Sequence, residues 1–334
     1  MSKIFITGGA GYVGSRLVPQ LIEEGHEVIV YDTFYFGDEF FTNIKDNLKL
    51  IKGDIRDTKK LKESIQNSEV FLNLACISND ASFELDENLS TSVNLHAFEP
   101  MVVAAKEAGI KRFIYASTSS VYGVSKEKNV REDHKLVPLT LYNKYKGMCE
   151  PILIKHTDSK FNSVIFRPAT VCGYAPRQRF DLSVNILTNL AINKEEITVF
   201  GGDQLRPNLH IQDYCDVVKL FIKTDLKKIN GEIFNVGYQN MSIKEISFLV
   251  KKVVEEEFIE KKGKIKILFQ KSDDLRSYHI NSEKIEKILN FKPKRSIEYA
   301  IRELCDKFKN NKFKDSTTND LYFNVKRLKK LQIK

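Results

Sequence analysis

Short apolar runs alternate with helical patterns over the first half of the chain. The apolar runs predict six strands, at residues 3–9, 27–32, 48–54, 69–75, 112–117 and 163–169. Helical patterns separate several of them, at residues 14–24, 58–65, 89–108 and 140–156. Strands that are apolar on both faces are typical of a parallel sheet covered by helices on each side. The alternation therefore predicts a doubly wound α/β fold.

The pattern changes beyond the sixth predicted strand. Two longer loops follow at 173–181 and 201–208, and residues 232–237 predict one more strand that returns to the sheet. An amphipathic helix is predicted at 241–257, with Ser242 as the N-cap of a capping box. A second, smaller unit is therefore expected to interleave with the end of the first.

Composition and charge exclude several classes of protein. The 334 residues are 42% hydrophobic and 29% charged, as in soluble globular proteins, and no apolar run approaches the length of a membrane span. Most of the net charge of +9 lies in residues 307–334, which hold nine Lys and Arg residues and two Asp residues. That segment predicts a solvated, weakly anchored basic tail. The nearly neutral remainder argues against nucleic-acid binding.

The cysteines and the N-terminus carry no signal for metal binding or export. The five cysteines form no CxxC pair and no Cys/His cluster, which predicts buried thiols, no metal site and no disulfides. Free thiols are typical of a reducing compartment, so a cytoplasmic protein is expected. Residues 1–15 lack the pattern of a signal peptide.

A glycine-rich turn follows the first predicted strand. Gly8, Gly11 and Gly14 recur at every third position before a predicted helix. Glycine there lets backbone N–H groups approach a pyrophosphate at the helix N-terminus. Asp32, at the end of the second strand, suits the two ribose hydroxyls of an adenosine and would repel a 2′-phosphate, so NAD is predicted rather than NADP. Asp54, after the third strand, either contacts the adenine amine or caps the following helix.

Tyr142 and Lys146 lie four residues apart on a predicted helix, which places both side chains on one face. A tyrosine hydroxyl has a pKa of about 10, so a role as base near neutrality needs a neighbouring cation, which a lysine one turn away supplies. Thr118 follows the fifth strand, at the sheet edge where ligands bind, and is placed to polarise a substrate hydroxyl or carbonyl. Tyr145 has no lysine four residues on and is interpreted as a packing residue.

Together these residues resemble the extended short-chain dehydrogenase/reductase family, in its nucleotide-sugar epimerase/dehydratase branch. The resemblance covers about residues 3–305 and rests on motifs that include TGGAGYVG (7–14), STSSVYG (117–123), FRPATVCG (166–173) and RPNLHIQD (206–213). It implies a Rossmann-type, mostly parallel seven-stranded sheet in an NAD domain of residues 1–172 plus about 211–238. A substrate domain would occupy about 173–210 and 239–306, followed by the basic tail at 307–334.

The resemblance also implies roles at the site. Tyr142 would be the acid/base, Lys146 would bind the nicotinamide ribose and lower the pKa of Tyr142, and Thr118 would contact the substrate at the reacting carbon. The residues implied to bind the cofactor are Gly8, Gly11, Tyr12, Val13, Gly14, Asp32, Asp54, Ile55, Leu74, Ala75, Cys76, Asn94, Ser117, Tyr142, Lys146 and Pro168. Those expected to bind a nucleotide-diphosphate sugar are Ser78, Asn79, Thr118, Ser119, Ser120, Arg177, Arg179, Asn185, Arg206 and Arg276, with surface ion pairs as the alternative for the last two.

Two departures from the family pattern bear on the reaction. Dehydratases of the branch carry Thr-Asp-Glu and the decarboxylating relatives also use a glutamate there, whereas this chain has Ser119 and Ser120 after its threonine. Because elimination of water needs an acid and a base beside the substrate, a 4,6-dehydratase is not expected. Residues 78–80 and 166–185 differ from the best-known UDP-galactose epimerases, so the sugar and the nucleotide stay open.

Three functions remain in competition. The first is an NAD-dependent nucleotide-sugar epimerase, acting at C4 through a 4-keto intermediate. The second is a net nucleotide-sugar 4-dehydrogenase or 4-ketoreductase, which needs the same residues. The third is a non-catalytic NAD-sensing protein, which would not need the Tyr142–Lys146 pair that this chain carries. The resemblance also implies a homodimer, formed through the helices at 89–108 and 140–156.

Overall fold

A computed structural model describes residues 1–333 of the protein, apart from residues 66, 79, 84, 126, 128, 272–276 and 278. Its strands are β1 (Lys3–Thr7), β2 (Glu27–Asp32), β3 (Leu48–Lys52), β4 (Val70–Asn73), β5 (Arg112–Ala116), β6 (Asn162–Pro168), β7 (Thr170–Cys172), β8 (Glu196–Phe200), β9 (Leu205–His210), β10 (Glu232–Val236), β11 (Gln239–Ser242) and β12 (Lys266–Gln270). Seven of them form one sheet in the order β10–β6–β5–β4–β1–β2–β3, with every neighbouring pair parallel. The predicted doubly wound, Rossmann-type sheet is confirmed, including the return of β10 to its edge.

Helices cover both faces of this sheet. They are α1 (Tyr12–Glu23), α2 (Thr58–Ile65), α3 (Asp80–Phe83), α4 (Glu87–Thr91), α5 (Phe98–Glu107), α6 (Leu141–His156), α7 (Ser183–Lys194), α8 (Ile211–Lys223), α9 (Ile243–Glu257), α10 (Glu283–Leu289), α11 (Ile297–Lys309) and α12 (Asn324–Leu331). Side chains of α1 and α8 pack on one face of the strands, and those of α2, α5 and α6 pack on the other. Burial on both faces accounts for the apolar strand sequences.

A separate apolar cluster holds three of the other helices together. It joins α7, α9 and α11 to the parallel pair β8–β12. A small sheet in the order β11–β9–β7 contributes Leu209 to the apolar cluster of the main sheet and Cys172 to this one. The capping box expected at the start of α9 is present, because Ser242 and Glu245 bond each other's backbone N–H groups. The residue boundaries of two domains stay a prediction.

The continuous helix expected over 89–108 is wrong in detail. A π-helical segment, Ser92–His96, separates α4 from α5. Within it the Asn94 side chain accepts a hydrogen bond from Ile77 N and donates one to Ile77 O, both at 2.9 Å. The wider turn therefore carries a side chain that fastens the loop after β4, as π-helical turns often do near functional sites. Such a contact between distant residues is invisible in a helical pattern.

The expectation of a weakly anchored tail at 307–334 is also wrong. Phe308 and Phe313 lie against Phe180, with ring centroids 5.7 and 5.0 Å apart from it. The Ser316 hydroxyl is buried and donates to Asn189 Oδ1 at 2.7 Å. A few well-placed aromatic side chains thus anchor a segment whose average composition is polar.

Among the described residues, no helix combines the length and the apolar character needed to cross a bilayer.

Candidate cofactor and active site

The glycine-rich turn between β1 and α1 packs closely against the chain that follows β4. Gly8 has a φ of +72°, and a Cβ atom there would lie 2.6 Å from Ala75 Cα. A Cβ atom on Gly14 would overlap the Gly9 carbonyl oxygen. Gly11 is the N-cap residue of α1, so the first N–H groups of that helix face the turn. The turn therefore has the steric and dipolar character of a pyrophosphate site.

Two carboxylates stand at the ends of neighbouring strands. Asp32 accepts hydrogen bonds from Ala10 N at 2.9 Å and Phe34 N at 2.8 Å, which ties the β2 loop to the glycine turn. Burial raises the pKa of Asp32, while these hydrogen bonds and the charge of Arg177 oppose the increase. Asp54 forms a bidentate pair with Arg56 at 2.7–3.1 Å. Although partial burial opposes it, this pairing lowers the pKa of Asp54.

A cavity of about 930 Å³ runs along the carboxyl ends of these strands. Its size and position suit a dinucleotide together with a second ligand. The cavity collects most of the predicted site residues. From the cofactor set it includes Gly8, Gly11, Tyr12, Val13, Gly14, Asp32, Asp54, Ile55, Leu74, Ala75, Cys76, Ser117, Tyr142, Lys146 and Pro168. From the substrate set it includes Ser78, Thr118, Ser119, Ser120, Arg177, Arg179 and Arg206.

Two predicted residues lie outside the lining. Asn94 uses both ends of its amide on Ile77, as described above. Asn185 is fully buried, accepts from Gly173 N at 3.0 Å and donates to Tyr12 Oη and Arg179 O, both at 3.0 Å. Both amides therefore shape loops around the cavity. Asn79 and Arg276 fall outside the described residues.

Tyr142 lies in the first turn of α6, whose N-cap is Thr140. Burial raises the pKa of Tyr142 well above its usual value, and nearby Cys76 and Asp80 raise it further, while the Arg179 charge lowers it. Lys146 lies one turn later. Its ammonium donates to the Ala116 carbonyl and lies 4.6 Å from the centroid of the Tyr115 ring.

The expectation that Lys146 lowers the pKa of Tyr142 stays a prediction. The Arg179 charge also acts to lower that pKa. The Lys146 ammonium lies at the end of β5, where its hydrogen bond to Ala116 O positions it at the cavity wall. Burial favours the neutral phenol, and positive charge from a bound ligand would favour the phenolate.

Hydroxyl groups follow β5 and line the same cavity. Thr118 Oγ1 accepts a hydrogen bond from Ser120 N at 3.2 Å and lies 2.8 Å from Ser120 Oγ. Ser120 Oγ in turn donates to Asn143 of α6. The Ser117 hydroxyl points elsewhere, donating to Glu150 at 2.6 Å. Thr118 therefore both caps a turn and presents its hydroxyl to the cavity that Tyr142 lines.

Two buried arginines come from the loop between β7 and α7. Arg179 Nε donates to Asp181 at 2.8 Å and Nη1 to Ser78 Oγ at 3.2 Å. Arg177 stacks on Phe36, with 3.6 Å from Cζ to the ring centroid. Burial lowers the pKa of Arg177 to about 9, and the neighbouring charge of Arg179 adds to this.

The cavity also contains residues that sequence reasoning missed. Asp80 lines it near Tyr142 and accepts a hydrogen bond from Thr140. Asn324, Leu328 and Ile333 reach it from the segment that was expected to be a solvated tail. Val325 and Leu328, three residues apart, were a signal for a helix with a buried face.

Comparison with known proteins places the chain in a family. The family model described as "NAD dependent epimerase/dehydratase family" matches residues 4–237. The chain belongs to this family. The resemblance inferred from the motifs is therefore confirmed, and so is NAD as the cofactor, because members of this NAD-dependent epimerase/dehydratase family use it.

Individual members of the family differ in activity. The UDP-glucose 4-epimerase of Lactobacillus helveticus is 26% identical over 273 residues, which is 73% of this chain and 80% of that protein. The dTDP-D-glucose 4,6-dehydratase of Mus musculus is 28% identical over 325 residues, covering 92% of this chain and 89% of that protein. The solved structure of a Thermotoga maritima UDP-glucose 4-epimerase with UDP-glucose has a TM-score of 0.82 at 24% identity and covers 92% of this chain and 99% of its own.

The exclusion of a 4,6-dehydratase is not supported by these comparisons, because dehydratases occur among the relatives. The structure adds a reason. The exclusion considered only the positions of Ser119 and Ser120, whereas Asp80 brings a carboxylate into the cavity from α3.

Proposed function

We propose that the protein is a nucleotide-sugar 4-epimerase that works through a 4-keto intermediate. The observation that carries this proposal is that Tyr142, Lys146 and Thr118 line the same cavity as the glycine turn. An acid/base, a ribose-binding cation and a hydroxyl partner therefore surround the place where a nicotinamide ring and a sugar would meet. The epimerase relatives support the same reaction class.

Bound NAD would supply a ring that accepts hydride from C4 of the sugar and returns it to the other face. Tyr142 would accept the proton of the C4 hydroxyl and later return it to the 4-keto oxygen. Burial acts to favour the neutral phenol, and the Arg179 charge favours the phenolate. Thr118 would hold the C4 oxygen in line with Tyr142, and Lys146 would bind the nicotinamide ribose. Such positioning supplies much of the rate enhancement in reactions of this kind.

A 4,6-dehydratase is the second candidate, and Asp80 is the observation that favours it. Its carboxylate lines the cavity beside Tyr142. Elimination of water from a 4-keto sugar requires removal of the C5 proton and protonation of the leaving C6 hydroxyl. One carboxylate supplies only one of these two functions, so the epimerase is preferred.

The test is incubation of the purified protein with UDP-, GDP-, CDP- and dTDP-sugars in D₂O, with the products followed by NMR. A 4-epimerase inverts C4, incorporates no solvent deuterium at carbon and needs no added NAD beyond one equivalent. A dehydratase places deuterium on the sugar carbon chain and yields a 4-keto-6-deoxy product. A net oxidoreductase consumes NAD or NADH in step with sugar. Either of the last two results would overturn the proposal.

Tyr142→Phe provides the matched test of the acid/base. We expect it to lower turnover by about 10²–10⁴-fold, the usual worth of general acid–base catalysis, with NAD affinity nearly intact. Tyr145→Phe is the control on the same helix, because Tyr145 packs against Phe83 with ring centroids 5.6 Å apart. Normal turnover by Tyr142→Phe would show that another group moves the proton.

We also propose the homodimer that the family resemblance implies. The outer face of α6 supports it, because Met148 and Ile154 are 43% and 37% exposed there. Light scattering coupled to size exclusion tests this, and a Met148→Glu variant is expected to shift the protein toward monomer.

A further inference from the structure

Arg177 lies where the glycine turn, the β2 loop and α1 meet. Its backbone N–H donates to Ser15 Oγ in the first turn of α1 at 3.1 Å. Its guanidinium stacks on Phe36 of the β2 loop. Its charge also acts on Asp32, the carboxylate expected to hold the adenosine ribose. These contacts place the cation on the cofactor side of the cavity rather than beside Tyr142.

The Arg177 side chain is buried, yet part of its hydrogen-bonding capacity is unused. The residue is 5% exposed, and its Nε atom has no hydrogen-bond partner among the described residues. A buried guanidinium with a spare donor is costly unless a ligand completes it. Arginine forms bidentate hydrogen bonds with phosphate oxygens, so an anionic ligand with several oxygens is the fitting partner.

The described partner of the Arg177 side chain comes from α12. Arg177 Nη2 donates to Asn324 Oδ1 at 2.6 Å. Asn324 is held on its other sides as well, because its Nδ2 donates to Ser78 Oγ at 2.9 Å and its backbone N donates to Asp181 at 3.0 Å. The amide is therefore oriented by three contacts and fixes the position of the guanidinium.

The helix α12 also reaches the β2 loop. Arg327 Nε donates to the Tyr35 carbonyl at 2.6 Å, and Arg327 Nη1 pairs with Asp320 at 2.9 Å. One helix thus joins the loop after β2 to the loop that carries Arg177. Both loops border the cavity in which the dinucleotide is expected.

We propose that Arg177 binds the diphosphate of the bound NAD, and that α12 acts through Asn324 as a positioning element of the cofactor site. The diphosphate is expected at the N-terminus of α1, which Arg177 touches through Ser15. This assignment replaces the sugar-nucleotide role first expected for Arg177. It makes Asn324, at the start of α12, part of the machinery that retains the cofactor. It does not depend on which reaction the enzyme catalyses.

The test measures binding of NAD and of UDP separately to protein freed of nucleotide, by calorimetric titration. The variants are Arg177→Met, Asn324→Ala and the double variant, with Lys329→Ala as the control because Lys329 is exposed on the same helix. For Arg177→Met we expect NAD to bind about 10–100-fold more weakly, the effect of removing a charge-assisted hydrogen bond, with UDP affinity unchanged. Asn324→Ala is expected to weaken NAD binding by a smaller factor, and the Lys329→Ala control to leave it unchanged.

The double variant separates positioning from general damage. If Asn324 acts through Arg177, its removal adds almost nothing once Arg177 is gone, whereas independent effects multiply. Arg177→Lys, which keeps the charge, is expected to bind NAD with an intermediate affinity and guards against a failure of Arg177→Met to fold. The proposal is overturned if Arg177→Met weakens UDP binding but not NAD binding, or if the two single effects multiply in the double variant.

Discussion

Glu303 of α11 forms hydrogen bonds with residues of α1, of β9 and of the loop after β7. Its carboxylate accepts hydrogen bonds from Arg16 Nη1 at 2.9 Å, His210 Nε2 at 3.0 Å and Tyr174 N at 2.7 Å. Although burial opposes the change, the hydrogen bond from His210 and the charge of Arg16 lower the pKa of Glu303 to about 2. The ionised carboxylate therefore stabilises the folded protein.

The size of this effect follows from the two pKa values. The carboxyl titrates at about 2 in the folded protein and at 4.5 without these contacts. Each pH unit between them corresponds to about 1.36 kcal/mol, so ionised Glu303 contributes about 3 kcal/mol to the free energy of unfolding at pH 7. Because the folded pKa is lowered, the contribution is complete above the unfolded pKa and is lost as pH falls toward the folded one. About 1 kcal/mol remains at pH 3.

The assay is urea denaturation of wild type and Glu303→Gln at pH 7, 5 and 3. We expect the variant to be about 3 kcal/mol less stable at pH 7 and 5, with a difference that shrinks below half at pH 3. Glu298→Gln on the same helix is the control, since the Glu298 side chain is 42% exposed and its pairing with Arg302 is worth at most about 1 kcal/mol. A difference below about 1 kcal/mol at pH 7, or one that is as large at pH 3, would refute the reasoning.

Three further predictions concern the site and its support. Gly14→Ala forces a Cβ atom onto the Gly9 carbonyl, so we expect the variant to be destabilised by about 1–3 kcal/mol and to lose its bound NAD. Ultraviolet absorbance of the purified protein measures the retained NAD, and a variant that retains it normally would contradict this. Arg167→Met leaves the buried Glu150 carboxylate without its partner at 2.6 Å, and denaturant titration should show a loss of about 3–5 kcal/mol; a loss under 1 kcal/mol would show that the pair is dispensable. Arg179→Gln removes the charge that lowers the pKa of Tyr142, so the pH–rate profile should move its acid limb to higher pH; an unmoved limb would mean that Tyr142 is not the titrating base.

The sheet was predictable because its strands are buried on both faces and so must be apolar along their whole length. The periodicity also located half of the helices, and the position of the glycines between a strand and a helix indicated a phosphate-binding turn. Strand ends came out one or two residues too long, as at β1 and β4. The division between α4 and α5 was missed because it accompanies a hydrogen bond from Asn94 to Ile77 in the loop after β4. Hydrophobic periodicity does not indicate such a contact between distant residues.

The candidate site was less predictable where a side chain acts on another part of the chain. Asn185 was expected to contact the substrate, but its side-chain amide forms hydrogen bonds with Gly173, Tyr12 and Arg179. Lys146 was expected to lower the pKa of Tyr142, but the sequence did not indicate that Cys76, Asp80 and Arg179 also shift it. The segment at 307–334 was predicted to be weakly anchored because most of its residues are polar. A few apolar side chains, among them Phe313 and Leu328, pack against the rest of the protein and anchor it.

The contact between Tyr35 and Arg327 spans 292 positions, and that between Ser78 and Asn324 spans 246. Because closing a longer loop costs more chain entropy, we expect contacts so remote along the chain to form after the strand pairings of the sheet. The parallel sheet can therefore assemble while the cofactor cavity still lacks one wall. During refolding, tight NAD binding should then appear when α12 docks on the cavity, which is after the sheet has formed.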